Sequence, residues 1–516
     1  MLPFLVHSSI LATSAKLSNT QLDTTGTELF TGEADVPLPA VVGLNGSALV
    51  RVRALAKAGT LPLAMQSAFA ALRAKATAAL AMHGNGHSST TCSERGPWSV
   101  TGKVDHVAAS GDLHDFTYLS TYAWPCNAEC NTSKFTLAHC KDWWRIPPDW
   151  SKCDNKTGLP WRGHDGFGQS EGQHDTHCSV LMSDTASTLA IAYFLTSNET
   201  FAEGAAKVLR TWFIAEKTKM NPNMMYAAAT PGLRNGSSDG IIATSCRWTT
   251  KVADAASLLA SSTHWSSSDA AAMALWNAAY LTWLTTNGGG FTNKEWETTN
   301  NHFTWLSVES ASLALSAGNE SVAYDIIENA LHCGGVRKTR GCLQAQIASS
   351  GLMYWEARRE AGASYSTMNT HALFQLATVS WNMRGGGRST TSRSTTTTTT
   401  TTTINTSAAA ARVVPSLWTW VDPGGSGNGS LRNALDYLLT YATNATAVWP
   451  WHQDGTSTSW SDFPWCALAQ QMRVASLVYG DMKYEAMIPL LPWKNNDTRV
   501  WEEDTTQLVW PYPPLD

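Results

Sequence analysis

Asn300-Asn301-His302 sets two amides beside an imidazole, with Trp305 three residues past the histidine. Some fifty residues later come Arg358-Arg359 and then Tyr365. Amide, imidazole, guanidinium and phenol are the groups needed to neutralise a carboxylate and to move a proton beside it. Asp and Glu are nearly absent from the run itself. That argues against a glycosidase built on two carboxylates and towards elimination on an acidic sugar.

The chemistry sets the requirements. A 4-linked uronate carries a weakly acidic proton at C5, next to its carboxylate. Removing it builds an enolate-like dianion. Donors on the carboxylate make that centre accessible, by the electrostatic logic of an oxyanion hole. A base must take the proton and an acid must protonate the departing O4. Asn301 and His302 can supply donors without competing negative charge. Each also has a plainer reading: Asn before a helix caps it, and a lone His is usually structural. Trp305 shares a face with His302 if the helix has begun, and core packing is its equal rival. Arg358 precedes Tyr365 by seven residues, two turns of an unbroken helix and roughly 10 Å. That spacing slightly favours Arg358 over Arg359, although Ala361-Gly362-Ala363 could let the chain bend. A phenol with an ordinary pKa near 10 needs a neighbouring cation to act as a base. Once it holds the proton it is an acid, so one Tyr can serve both halves of a syn elimination.

The elements that must position these groups are helical. Apolar residues recur at helical spacing from about Ser47 to Leu72. The same texture covers about 178–196, 201–217, 239–260, 268–286, 302–317, 320–332, 366–382, 429–443 and 464–479. Several neighbours are joined by few residues, which predicts antiparallel helix pairs. Residues 88–175 break the pattern: Gly, Pro, Cys, Trp and His with no sustained period, a long loop region of the kind that carries function. Arg384-Gly-Gly-Gly-Arg388 leads into nine consecutive Thr at 395–403. Polar low complexity of this kind cannot offset its ordering entropy, so about 384–412 reads as an exposed, disordered insertion within a domain. The whole reads as an all-α array of helical hairpins. Its expected organisation is a weak leader at 1–36, a helical domain at 37–495 and a C-terminal tail at 496–516.

The chain has 516 residues, 43% hydrophobic and 15% charged, enough for a sizeable core. Of its 24 Trp, some belong to that core and some could stack on sugar rings at a cleft. The net charge of −5 means that a polyanionic substrate would need a locally basic cleft. No basic run suggests nucleic acid. No apolar stretch of about eighteen residues predicts a membrane-spanning helix. Four of ten Cys crowd into one loop, at Cys126, Cys130, Cys140 and Cys153, while Cys333 and Cys342 flank a Gly-rich turn. Their spacing fits no common zinc finger. With N-x-Ser/Thr sequons at Asn45, Asn131, Asn155, Asn198, Asn235, Asn319, Asn405, Asn428, Asn444 and Asn496, they favour a secreted, disulfide-bonded glycoprotein over a metal site. Met1–Ala15 is mildly apolar but lacks a charged n-region, a weak or truncated signal peptide.

An ordered series of segments carries a family resemblance. It runs from Gly96-Pro97-Trp98-Ser99-Val100-Thr101 through Ser110-Gly111-Asp112-Leu113-His114-Asp115-Phe116 to Tyr122-Ala123-Trp124-Pro125. It continues with Leu209-Arg210-Thr211-Trp212-Phe213, Met220-Asn221-Pro222-Asn223 and Tyr226. It closes with Asn300-Asn301-His302, the Arg pair and Tyr365-Ser366. Over roughly 40–490 the chain resembles the alginate-lyase-type polyuronate lyases, polysaccharide lyase families five and thirty-eight. The resemblance implies an (α/α) toroid, an incomplete α/α barrel with long Cys- and Trp-rich loops. It implies a carboxylate held by Asn301, His302 and Arg358 or Arg359, and Tyr365 as base and acid. It implies no cofactor and no obligatory metal. Substrate contacts would come from His114, Tyr122, Trp124, Asn221, Tyr226 and Trp305. The partner expected is an acidic polysaccharide, mannuronan or glucuronan, with the protein acting as a monomer outside the cell and not inserted in a membrane. Tyr-Ala-Trp-Pro departs from the family's double Trp, which bears on subsites rather than on the reaction. Two other readings stay open: an α/α-barrel hydrolase using Asp112, Asp115, Asp165 or Glu309, and a glycan-binding toroid without activity.

Overall fold

The outer helices show most plainly why these residues fold as they do. In α4 (Glu199–Phe213) the buried positions are Phe201, Ala202, Ala205, Ala206, Val208, Leu209, Trp212 and Phe213, one stripe of a 3.6-residue period. Helix α11 (Leu431–Ala442) buries Leu431, Ala434, Leu435, Leu438, Leu439 and Ala442 in the same way. Each fully buried Leu in such a stripe contributes about 1.5–3 kcal/mol. The inner helices are different. Helix α7 (Asn301–Ser316) is buried almost all round from Asn301 to Ala314, as is α10 (Gly362–Met383), because each is walled by neighbours on every side.

The structure is a computed structural model. It describes residues 37–84, 108–120, 123–124, 162–163, 174–229, 237–238, 247–286, 294–333, 341–359, 361–385, 414–423, 429–444, 449–450, 465–492 and 505–510. Residues 38–516 form one compact unit. The remaining helices are α1 (Gly46–Ala58), α2 (Leu63–Gly84), α3 (His174–Thr196), α5 (Thr249–Leu258), α6 (Ser267–Thr286), α8 (Glu320–Leu331), α9 (Tyr354–Ala357), α12 (Trp465–Tyr479), α13 (Lys483–Met487) and α14 (Thr506–Val509). Helices α3, α5, α7, α10 and α12 pack successively as an inner ring, and α4, α6, α8 and α11 pack outside it. This is the (α/α) toroid of helical hairpins. Four short strands accompany it among the described residues. Thr117–Leu119 (β1) pairs in parallel with Tyr226–Ala229 (β4), and Ala123–Trp124 (β2) pairs antiparallel with Arg162–Gly163 (β3).

Several expectations meet the structure here. Helix α3 does contain an apolar window, Cys178–Thr196, long and hydropathic enough to cross a bilayer. This corrects the expectation that the chain holds no such stretch. Two-thirds of that window is buried against other helices, which makes it a core helix. Within the expected tail, Leu508, Val509 and Trp510 are buried, and α14 packs on α1 and α2. Cys333 and Cys342 are joined by a disulfide with their Cα atoms 5.1 Å apart, and Cys178 is also disulfide-bonded. Three sequon asparagines are helix N-caps: Asn45, Asn198 and Asn319 accept from the N–H groups of Ala48, Thr200 and Val322. Capping gives these three a structural reason to be Asn. The leader, the crowded Cys loop and the Thr run lie outside the described residues.

The segment Val41–Leu44 is tied to α5 and α10. The buried Asp254 carboxylate accepts the N–H groups of Val42 (2.5 Å) and Gly43 (3.1 Å). Asn382 Nδ2 donates to the carbonyls of Val42 (2.9 Å) and Leu44 (3.0 Å). Burial pushes the Asp254 carboxyl up to about 7 against the pull of those N–H groups.

Candidate active site

Asn300 has extended backbone and its side chain accepts from His302 N–H (3.1 Å), so Asn300 is the cap and Asn301 the first helical residue of α7. This points the next side chains at two carboxylates. Glu356, on α9, accepts from both Asn301 N (2.5 Å) and Asn301 Nδ2 (2.6 Å). Glu295, in the 3-10 turn Lys294–Glu297, lies 2.7 Å from His302 Nδ1. Both carboxylates are fully buried, whereas the His302 side chain keeps 17% of its surface. Burial raises the pKa of Glu356, opposed mainly by the two Asn301 bonds and also by the charge of Arg359. Neither glutamate was singled out from sequence. No periodicity marks a carboxylate on a four-residue turn, and their value as signals exists only once the chain has folded.

The Arg pair is divided by a bend. Helix α9 ends at Arg358, and α10 begins at Gly362. A Cβ at Gly362 would lie 2.0 Å from the Ala357 carbonyl oxygen, so only glycine lets the chain double back this closely. Trp449 Nε1 donates to that same carbonyl at 2.9 Å. The bend turns Arg359 inward. Its guanidinium carbon sits 3.4 Å from the centroid of the Tyr365 ring, and its Nη1 lies 4.0 Å from Glu356. Arg358 is exposed and stacks on Trp355 (4.2 Å) and Tyr354 (5.3 Å) instead. The preference for Arg358 taken from the seven-residue spacing is therefore reversed, because it assumed one unbroken helix. Asn301, His302, Arg359 and Tyr365 come together; Arg358 faces away from them.

Three of the residues expected to contact substrate, His114, Asn221 and Tyr226, form a second group. Asn221 Nδ2 donates to Asp112 (3.0 Å) and Asp115 (2.9 Å), and Asn221 N–H donates to the His114 carbonyl (2.9 Å). His114 Nδ1 lies 2.6 Å from the Lys219 carbonyl. The His114 N–H is the main cause that holds Asp112 below the usual carboxylate range. Tyr226 is half-buried, opposite Thr117 in the β1–β4 pair. Trp276 of α6 donates to the Met220 carbonyl (2.8 Å), and α6 packs on α7, which ties this group to the element carrying His302. Trp305 is 3% exposed and forms part of the wall of a cavity of about 770 Å³ inside the toroid, edge-on to His371 and under Arg247. Tyr122 and the side chain of Trp124 lie outside the described residues. Among the described residues no group of His, Cys, Asp and Glu is placed to hold a metal ion.

The alginate lyase family model matches residues 99–390, a span that contains both groups. The chain belongs to the alginate lyase family. Its fold is also similar to a crystal structure of an alginate lyase from Bacteroides ovatus, with a TM-score of 0.66 and 21% identity. That match covers 92% of this chain and 99% of the other. A search of curated proteins finds no match.

For an alginate lyase family member, a polysaccharide lyase whose substrate class is an acidic polysaccharide, the negative overall charge is an obstacle. Arg359 supplies local positive charge against Tyr365. The carboxylates offered for a hydrolytic alternative do not help that reading. Asp112 and Asp115 share Asn221 on one loop rather than facing each other across a cleft. Glu309 is buried two turns down α7, and Asp165 lies outside the described residues.

Proposed function

We propose that this lyase cleaves a β-1,4-linked polyuronate, mannuronan or glucuronan, by syn β-elimination, leaving a 4,5-unsaturated uronate end. The observation that carries the reading is the stacking of Arg359 on Tyr365 beside the His302 helix start. In this reading Arg359 and His302 hold the uronate carboxylate. With Nδ1 committed to Glu295, His302 turns Nε2 to the substrate, and in the protonated ring both nitrogens donate. Asn301 is bonded to Glu356 and fully buried, so its part is to fix the helix start and back the donors. Tyr365 takes the C5 proton and returns a proton to O4. The guanidinium lies against the ring that must be anionic before it takes the C5 proton and again after it gives a proton to O4.

His114, Asn221, Tyr226, Tyr122, Trp124 and Trp305 are assigned to the substrate path on the same reading. Three disulfide-bonded cysteines among the described residues and the many sequons support secretion. Incubating the protein with polymannuronate and with glucuronan tests the function. A rise in ultraviolet absorbance from the conjugated product is expected with one or both. New reducing ends without that absorbance would mean hydrolysis, and binding with neither would mean a non-catalytic toroid.

A further inference from the structure

The bend that sends Glu356 and Arg359 inward sends their neighbours outward. Tyr354 and Trp355 each keep 43% of their surface exposed, among the few large aromatic side chains of the described residues to do so. Their rings meet edge to face at 5.4 Å. The exposed Arg358 lies over both, closest to Trp355 at 4.2 Å. Large aromatics are normally drawn into a core this rich in them, and an exposed pair is the informative case.

We infer that Tyr354, Trp355 and Arg358 form an outer subsite for one uronate unit of the substrate chain, next to the unit being cleaved. The inference rests on the polyuronate reading above and extends it. An aromatic plane suits the apolar face of a pyranose ring. A guanidinium placed over an indole keeps N–H donors for a carboxylate, and the pairing can be bidentate. A ring and a carboxylate are the two features every unit of a polyuronate presents. Position selects the occupant: Arg358 directly precedes Arg359 in the chain with its side chain turned the other way, so the patch lies on the outer side of the segment that carries the catalytic group. The protein's net charge of −5 makes such a cation a local feature and not part of a general basic surface.

Trp355→Ala and Arg358→Gln, both surface changes, test this by steady-state kinetics on whichever polymer the wild type cleaves. They are paired with calorimetric binding of both polymers to the same variants in a Tyr365→Phe background. KM and Kd are each expected to rise about tenfold, the scale of one charge-assisted or stacking contact, with kcat moving far less. Added salt should weaken binding less steeply in Arg358→Gln than in Trp355→Ala. KM and Kd within about twofold of the parent in both variants would overturn the subsite. So would a collapse of kcat at unchanged KM in Arg358→Gln, which would put Arg358 at the reacting atoms. If the wild type cleaves neither polymer, the elimination reading fails, and the binding arm still decides whether the patch recognises a polyuronate.

Discussion

Arg359 lies against the face of Tyr365, guanidinium carbon to ring centroid 3.4 Å, and holds Glu356 at 4.0 Å with the same head group. One cation thus touches both the residue proposed to move the proton and the carboxylate that fixes Asn301. Tyr365→Phe keeps the ring and the stacking and removes only the hydroxyl. It is expected to lower kcat by about 10²–10⁴-fold with the melting temperature unchanged. Absorbance assays and thermal denaturation read the two quantities; activity that survives undiminished would sink the assignment.

Replacing Arg359 separates charge from shape. Arg359→Ala is expected to cost about 10²–10³-fold in kcat. Arg359→Lys should recover little, because an ammonium neither stacks as a plane nor forks. A full rescue by lysine would show that charge alone suffices.

Glu356 and Glu295 divide the support. Glu356→Ala leaves two Asn301 donors without their acceptor, at about 1–3 kcal/mol each, so the main loss should appear in denaturant titration. Glu295→Gln keeps the volume and removes the charge beside His302. Its expected signature is a fall in kcat of roughly tenfold or more at little cost in stability.

Gly362→Ala places a methyl group 2.0 Å from the Ala357 carbonyl. The bend must open, at about 1–3 kcal/mol, and Arg359 moves with it. Stability and kcat should fall together, whereas Gly318→Ala, strained by its positive φ but meeting no atom within 4 Å, should lower stability alone.

Acid should weaken the fold through His371. This ring lines the toroid cavity, and burial first, then the charges of Arg247 and Lys251, holds it down at about 4. Trp305 meets it edge-on, and Lys251 is itself paired with Asp184. The unfolded chain's histidine titrates near 6.5. Above that pH the ring is neutral in both states and its contribution is complete. As pH falls from 6.5 towards 4 the unfolded chain takes up a proton that the folded chain refuses, and stability is lost. His371→Phe should flatten the fall in melting temperature over that window; parallel curves would count against it.

The sequence made the toroid legible because its helices are long and their stripes regular. The predicted 268–286, 302–317 and 464–479 sit within a residue or two of the observed helices. A cap at this helix start was readable because capping is local chemistry, but the cap is Asn300 and not Asn301, since the helix begins one residue earlier than 302. The choice between Arg358 and Arg359 was not readable, since it depends on a bend set by the contact of Gly362 with Ala357 and by Trp449. Nor was Glu356, whose partner lies 55 residues away, nor Glu295, which sits on a four-residue 3-10 turn that no periodicity marks. A run that looked free of carboxylates is in fact backed by two of them.

The bond from Glu356, on the short helix that leads into α10, to Asn301 of α7 joins segments 55 residues apart, and α7 and α10 are neighbours in the inner ring. Assembly of the site and closure of the ring are therefore one event, and a chain with part of its helices formed has nothing resembling half a site. Loss of activity on heating or in denaturant should trace the same curve as loss of helix, with no interval in which a folded but inactive species accumulates.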